Sequence, residues 1–405
     1  MLRRLFSSAL LLLCLLICCG NSGAAAANQE NAMDPFAGTT DIPGAAWEGV
    51  GVAAQPVTSL RVPSLVAVGE DVFAVAEAHC RKQNGEAGSF TGIASKHLKK
   101  ITEGAMDVSA ADTSLLFTQL VEGSDAAEKK ATKIMRPTTL VVGRDVYMLL
   151  GRRTRTEPEE QVAGKTGWNL VLVKGSVSGS GDDKKITWSE TRAVKPEALA
   201  RLNSLTQLAG GGGSGLVLGD GTLVFPMQGI EREKKSVLLA MRFTPSKKKW
   251  ELSSGTTGEG CRDPSIVEWG DDGSLLAMAP CERGSYDVYE STVCGVDWYD
   301  AGEPITRVWG TSQNRQGGDG VQSGFITADI ENKKVLLLTT PVYSEEEGKV
   351  KGALHLWLTD NSRVHDVGPV SREADDAAAS SLLYRSGASV ELILLYEKKT
   401  GYDSY

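Results

Sequence analysis

"LVAVGEDVFAVAEA", residues 65–78, is the stretch from which the fold can be read. Two apolar runs flank the turn-forming trio Gly69-Glu70-Asp71. Apolar runs of this length around a tight polar turn spell a β-hairpin. The runs are nearly continuous rather than alternating, so the strands are expected to be covered on both faces. The pattern returns as "LVVGRDVYMLLG" (140–151), "LVLGDGTLVFPMQ" (216–228), "IVEWGDDGSLLAMA" (266–279), "ITADIENKKVLLLTT" (326–340) and "LLYRSGASVELILLYE" (382–397). Further strand pairs fill the intervals, as in "WNLVLVKGSV", "SVLLAMRFTPSKKKWELSSG", "YDVYESTVCGVDWYDA" and "ALHLWLTDNSRVHDVG". Two hairpins per unit make a four-stranded sheet. Six units starting 50 to 76 residues apart point to an all-β chain folded as a six-bladed propeller, its last blade short of outer strands. An irregular all-β sandwich is the alternative.

The N-terminus reads differently. Arg3 and Arg4 precede an apolar run over 5–19 and small residues over 20–27, the three-part form of a secretory signal peptide. About 20 apolar residues are needed to span a bilayer, and this run is shorter. Residues 1–27 are therefore expected to direct the chain to the secretory pathway, for the cell surface or release. Residues 28–55 are small and polar and are expected to be flexible, and 56–405 to form the propeller. Residues 81–135 read as a long insertion, and the C-terminal "YEKKTGYDSY" is too polar for a membrane or lipid-anchor tail. Beyond the signal lie Cys80, Cys261, Cys281 and Cys294, which allow two disulfides in three pairings. A net charge of −8 disfavours nucleic acid as a partner. Four dispersed histidines and the lack of a paired-cysteine motif give no metal site, and no cofactor is implied. The glycine run 210–213 lacks the Gly-Lys-Ser/Thr ending of a phosphate loop and reads as a flexible or tightly packed turn.

"LRVPSLV" (60–66) resembles the Arg-[Ile/Val]-Pro motif of sialidases. "GCRDPSIVEW", "ITRVWG", "SGFITA", "LHLWLTDN" and "AASSLLY" are similar to the trypanosome trans-sialidase superfamily, most of all to its non-enzymatic surface glycoproteins. Decayed Asp boxes add to the resemblance. "GDDKKITW" keeps Asp183, Thr187 and Trp188; "STVCGVDW" keeps Ser291, Gly295 and Trp298 with Val293 for the aspartate; "TPSKKKW" keeps Trp250. The resemblance implies a sialidase-type propeller, normally followed by a lectin-like domain that is absent from this chain.

It also implies a site. Three arginines clamp the sialic acid carboxylate, a tyrosine helped by a glutamate attacks the sugar, and a loop aspartate serves as acid and base. Aligned to that pattern, Arg61 supplies the first arginine. Pro280 and Ala353 stand for the other two, and Ala379 for the tyrosine. Arg283 lies three residues from Pro280, so an odd strand offset puts it on the opposite face. Tyr384 lies five residues past Ala379 and belongs to the strand pattern. Asp263 replaces the helper glutamate, His79 an arginine that contacts sugar hydroxyls, and Arg136 a further pocket acid. Glu86 is the nearest acid to the loop aspartate. Arg61 and Asp263 are thus expected as vestigial binding residues in a catalytically inactive protein that binds host cell surface or extracellular matrix, and sialoglycans weakly. An active exo-α-sialidase or trans-sialidase is one alternative; an antigenic decoy or truncated gene product is another.

Overall fold

Each of the six repeats folds as the antiparallel hairpin that its residues spell. The computed structural model describes residues 33–50, 57–81, 89–99, 105–109, 112, 114–123, 130–153, 169–199, 202, 204–270, 273–282, 286–301, 320–346, 349–386 and 390–399. In the first repeat Val57–Val68 pairs with Asp71–Arg81 around Gly69, whose φ of 61° only glycine takes without strain. The first blade continues with Ser89–Leu98 and Leu116–Glu122. Residues 81–135, read as an insertion, thus supply the outer half of this blade.

The second blade runs Lys133–Val142, Asp145–Arg153, Asn169–Ser178 and Lys185–Val194. The third is Leu205–Gly210, Leu223–Glu231, Ser236–Thr244 and Lys249–Leu252; the fourth is Ser265–Glu268, Leu275–Pro280, Tyr286–Ser291 and Tyr299–Asp300. The fifth is Gly324–Ile330, Lys333–Glu346, Lys349–Thr359 and Val364–Pro369. The six-blade expectation needs correction here. Among the described residues five blades are complete, and the sixth place holds the two-stranded sheet Ala377–Arg385 with Glu391–Lys398. The described residues after Pro369 supply one hairpin's worth of apolar sequence.

Apolar layers between neighbouring sheets close the ring. Phe73, Met148 and Trp188 fill the first interface, and Tyr147, Phe225 and Trp250 the second. Leu238 and Leu275 meet in the third, and Met278 and Leu336 in the fourth. The two-stranded sheet contributes Leu382 and Leu394 to the fifth layer, and Leu383, Ile393 and Leu395 to the contact with the first blade. All three Asp-box tryptophans pack inward although the polar turn has decayed.

The segment read as flexible carries a strap in its described part, residues 33–50. Thr40–Asp41 extends the second blade and Ala46–Gly49 the first, covering two sheet edges that would otherwise be open. Phe36 enters the layer between the second and third blades, where the buried Trp250 Nε1–H donates to the Pro35 carbonyl at 2.9 Å. Trp250→Phe is expected to lower stability by about 1–2 kcal/mol, because it strands that buried carbonyl. An unchanged urea midpoint would show that the strap is not held there.

One disulfide forms, Cys261–Cys281. Cys80 and Cys294 lie buried in the first and fourth blades, in separate apolar clusters. Burial pushes the Cys80 thiol up to about 12. No described helix is long and apolar enough to cross a membrane. The signal-peptide region, 1–27, lies outside the described residues.

Candidate functional site

Three residues that precede prolines set the geometry at the ring's axis. Val62, Arg136 and Asp263 take φ of 55°, 54° and 55°, ahead of Pro63, Pro137 and Pro264. Two of them fall in bulges, between Arg61 and Ser64 in the first blade and between Met135 and Thr138 in the second. A bulge breaks the ladder and re-aims side chains, and non-glycine residues at positive φ cost of order 1–3 kcal/mol each. The same backbone conformation before proline thus recurs at equivalent places on three blades.

The glycine run lies at its floor. After Leu205–Gly210 the chain leaves the third blade, pairs Gly213–Ser214 in parallel with the second, and returns as Leu216–Val217. Gly212 (φ 83°) has no room for a side chain: an added Cβ would lie 2.5 Å from Val62 Cγ1 and 2.5 Å from Gln322 Oε1. The buried Gln322 in turn donates from Nε2 to the Pro63 carbonyl at 3.0 Å. The run is therefore a tightly packed turn.

Above this floor the charged groups interlock. Arg136 Nε donates to the Gly210 carbonyl at 2.9 Å, and its Nη2 to the Gly211 carbonyl. The same Nη2 pairs with Asp263 Oδ1 at 2.6 Å; the two side chains are only 15% and 17% exposed. The Asp263 amide donates to Gln228 Oε1 at 2.8 Å. Glu77, buried, accepts the Arg136 amide on Oε2 at 2.7 Å, and its Oε1 lies 2.8 Å from His79 Nε2. Glu397, on the two-stranded sheet, accepts the Val62 amide at 2.7 Å. Burial pushes its carboxyl up to about 7, against the pull of that hydrogen bond and of the Arg61 charge, while Asp263 and Glu77 add to the rise.

That carboxyl ties stability to pH. The folded chain holds the Glu397 proton more tightly than the unfolded chain, whose value is the ordinary 4.5. Between pH 4.5 and 7 the folded state therefore binds more protons, and this group's contribution to stability falls as pH rises through that window. Glu397→Gln is expected to flatten the dependence, so that the variant's stability relative to the parent is higher at pH 8 than at pH 5. Equal slopes for the two proteins would contradict the assignment.

The fold has known counterparts. The model of the BNR repeat-like domain matches residues 62–397. The chain belongs to that family. A sialidase of Trypanosoma cruzi, "Sialidase 85-1.1", is 31% identical over 358 residues, 84% of this chain and 46% of that relative. A second T. cruzi sialidase is 30% identical over 66% of this chain and 23% of its own length. Trypanosoma rangeli sialidase in complex with sialic acid superposes with a TM-score of 0.66 at 26% identity, covering 88% of this chain and 57% of that one. The same enzyme with the inhibitor DANA gives 0.64 at 27% identity, over 85% and 53%. These matches place the chain in the trypanosome trans-sialidase superfamily. It spans about half the length, or less, of the curated relatives it matches.

Against the sialidase pattern, four of the positions singled out in the sequence come together. Arg61 and His79 lie on the two strands of the first hairpin, and Arg136 and Asp263 meet across the floor. Pro280 ends Leu275–Pro280, where its carbonyl accepts the Arg262 amide at 3.0 Å and Gly320 packs on its ring. Ala353 is part-buried opposite Val342, and Ala379 is buried in the bulge between Ala377 and Ser380. Tyr384 points elsewhere, its hydroxyl donating to the Asp329 carbonyl at 2.7 Å. Arg283 and Glu86 lie outside the described residues. Glu77, Glu397, Gln322 and Gln228 were not found by sequence reading. The strongest available signal was Glu397, a carboxylate closing the apolar run "LILLY". The described His/Cys/Asp/Glu group close enough to hold a metal ion is Cys261, Cys281 and Asp287, and there the two sulfurs are bonded to each other.

Proposed function

We propose that this chain keeps the sialidase fold as a binding scaffold and does not hydrolyse sialosides, and that it engages the host cell surface or extracellular matrix from the surface or exterior of the cell that makes it. The observation that carries the reading is the Arg136–Asp263 ion pair. Asp263 stands where the sialidase pattern implies the acid that helps the nucleophile, and its Oδ1 is held by a guanidinium that two carbonyls fix in place. That oxygen is already engaged by the guanidinium. Ala379 offers a methyl group where the nucleophilic hydroxyl is implied, and Pro280 and Ala353 offer no cation for the clamp. Members of a catalytic unit fail together, so these losses predict a rate near background.

The binding half of the proposal is tested by adding fluorescently labelled chain to cultured mammalian cells and to a matrix-coated surface. Saturable binding that unlabelled chain competes away is expected. Binding no greater than that of an unrelated acidic protein on both surfaces would refute it.

A further inference from the structure

A second cavity, of about 370 Å³, lies away from the axis cluster. Gly255 and Thr256, which follow the outer strand of the third blade, line it together with Leu202. Asp297, Trp298 and Tyr299, at the start of the outer strand of the fourth blade, complete the lining. Beside it the Ser254 amide donates to the Val296 carbonyl at 2.7 Å and ties the two blades together. Trp298 packs against the apolar layer between these blades. Tyr299 is 60% exposed, the one aromatic among the exposed large apolar side chains of the described residues. Three polar groups on the lining residues are uncommitted. The Thr256 hydroxyl, the Asp297 carboxylate and the Tyr299 hydroxyl form no side-chain hydrogen bond or ion pair with another described residue.

The geometry points to a binding site here for a neutral, hydroxyl-rich saccharide, with Tyr299 as the stacking platform and Asp297 as the hydroxyl acceptor. A sugar ring carries C–H bonds on its faces and hydroxyls around its edge. The faces cover aromatic rings, and the hydroxyls donate to a carboxylate and exchange hydrogen bonds with Thr and Tyr hydroxyls. Asp297 is the charged group among the described lining residues, and it repels an anionic sugar. A cation would use the carboxylate and the rings but would leave the hydroxyl donors without acceptors. The volume lies at the lower end of the range for ligand pockets, about 300–1,000 Å³, and suits one or two sugar rings. The site holds whether or not the axis hydrolyses sialosides, since the two clusters share no residue.

The test is a titration of purified chain, followed by ligand-observed NMR. Galactose and glucose are compared with galacturonic and glucuronic acid, and choline serves as the cationic probe. At least one neutral sugar is expected to saturate in the millimolar range, and its uronic acid to bind about threefold more weakly. Tyr299→Ala, at an exposed position where little packing is lost, should weaken the neutral sugar about tenfold. Asp297→Asn keeps an acceptor oxygen, removes the charge and should bring the uronic acid level with its neutral sugar. No saturation by either neutral sugar, uronic acids that bind as tightly, or choline bound more tightly than both would overturn the inference. So would unchanged affinity in Tyr299→Ala, which would put the sugar elsewhere on the chain, or an unchanged ratio in Asp297→Asn. Turnover of a sialoside would instead overturn the non-hydrolysing reading of the axis and leave this site standing.

Discussion

Gly212→Val is expected to destabilise the chain by about 4 kcal/mol, enough to empty the soluble fraction of a marginally stable domain. Two costs add. A β-branched residue at a φ of 83° is strained, and its Cβ would sit 2.5 Å from both Val62 Cγ1 and Gln322 Oε1. Neither neighbour can easily withdraw. Val62 is fixed by the bulge and by its hydrogen bond to Glu397, and Gln322 is tied to Pro63. The control is Gly219→Ala, where an added Cβ meets nothing within 4 Å and the change should stay within about 0.5 kcal/mol. Urea denaturation of both variants gives the comparison. A Gly212→Val protein with the parent's midpoint would mean that the glycine run is not packed on the axis.

Arg136→Ala is expected to cost about 3–5 kcal/mol, the penalty for leaving a buried charge without its partner. Asp263 would keep its carboxylate at 17% exposure, and the Gly210 and Gly211 carbonyls would lose their donor. Adding Asp263→Asn to that variant removes the orphaned charge and should restore part of the loss. A double-mutant cycle in denaturant then gives an interaction energy of about 2 kcal/mol. Strictly additive losses would show that the two side chains do not act as a pair.

The blades were legible because a hairpin is local: both strands and the turn that joins them lie within some fifteen residues, as in "LVAVGEDVFAVAEA". What the strap does was not legible. Phe36 and Trp250 are more than 200 residues apart, and neither residue names the other. The site divides the same way. Arg61 and Asp263 were found through motifs carried in the chain, whereas Glu397 reaches Val62 across 335 residues through the closure of the ring. Glu77 was hidden because nothing in "VAEAH" marks a buried acid, yet it is buried and accepts the Arg136 amide. Val62-Pro63, Arg136-Pro137 and Asp263-Pro264 stand at the same place in three repeats, and proline so placed marks a break in strand pairing.

The measurement that goes most directly to the central claim is turnover of a fluorogenic sialoside by purified chain, with and without a lactose acceptor. Circular dichroism confirms folding, and an active trypanosome sialidase serves as positive control. Folded chain is expected to release no fluorophore above background and to transfer none to lactose. Clear turnover would contradict the account, and would direct mutagenesis to Arg283 and Tyr384 as the groups doing the work of the missing arginine and tyrosine.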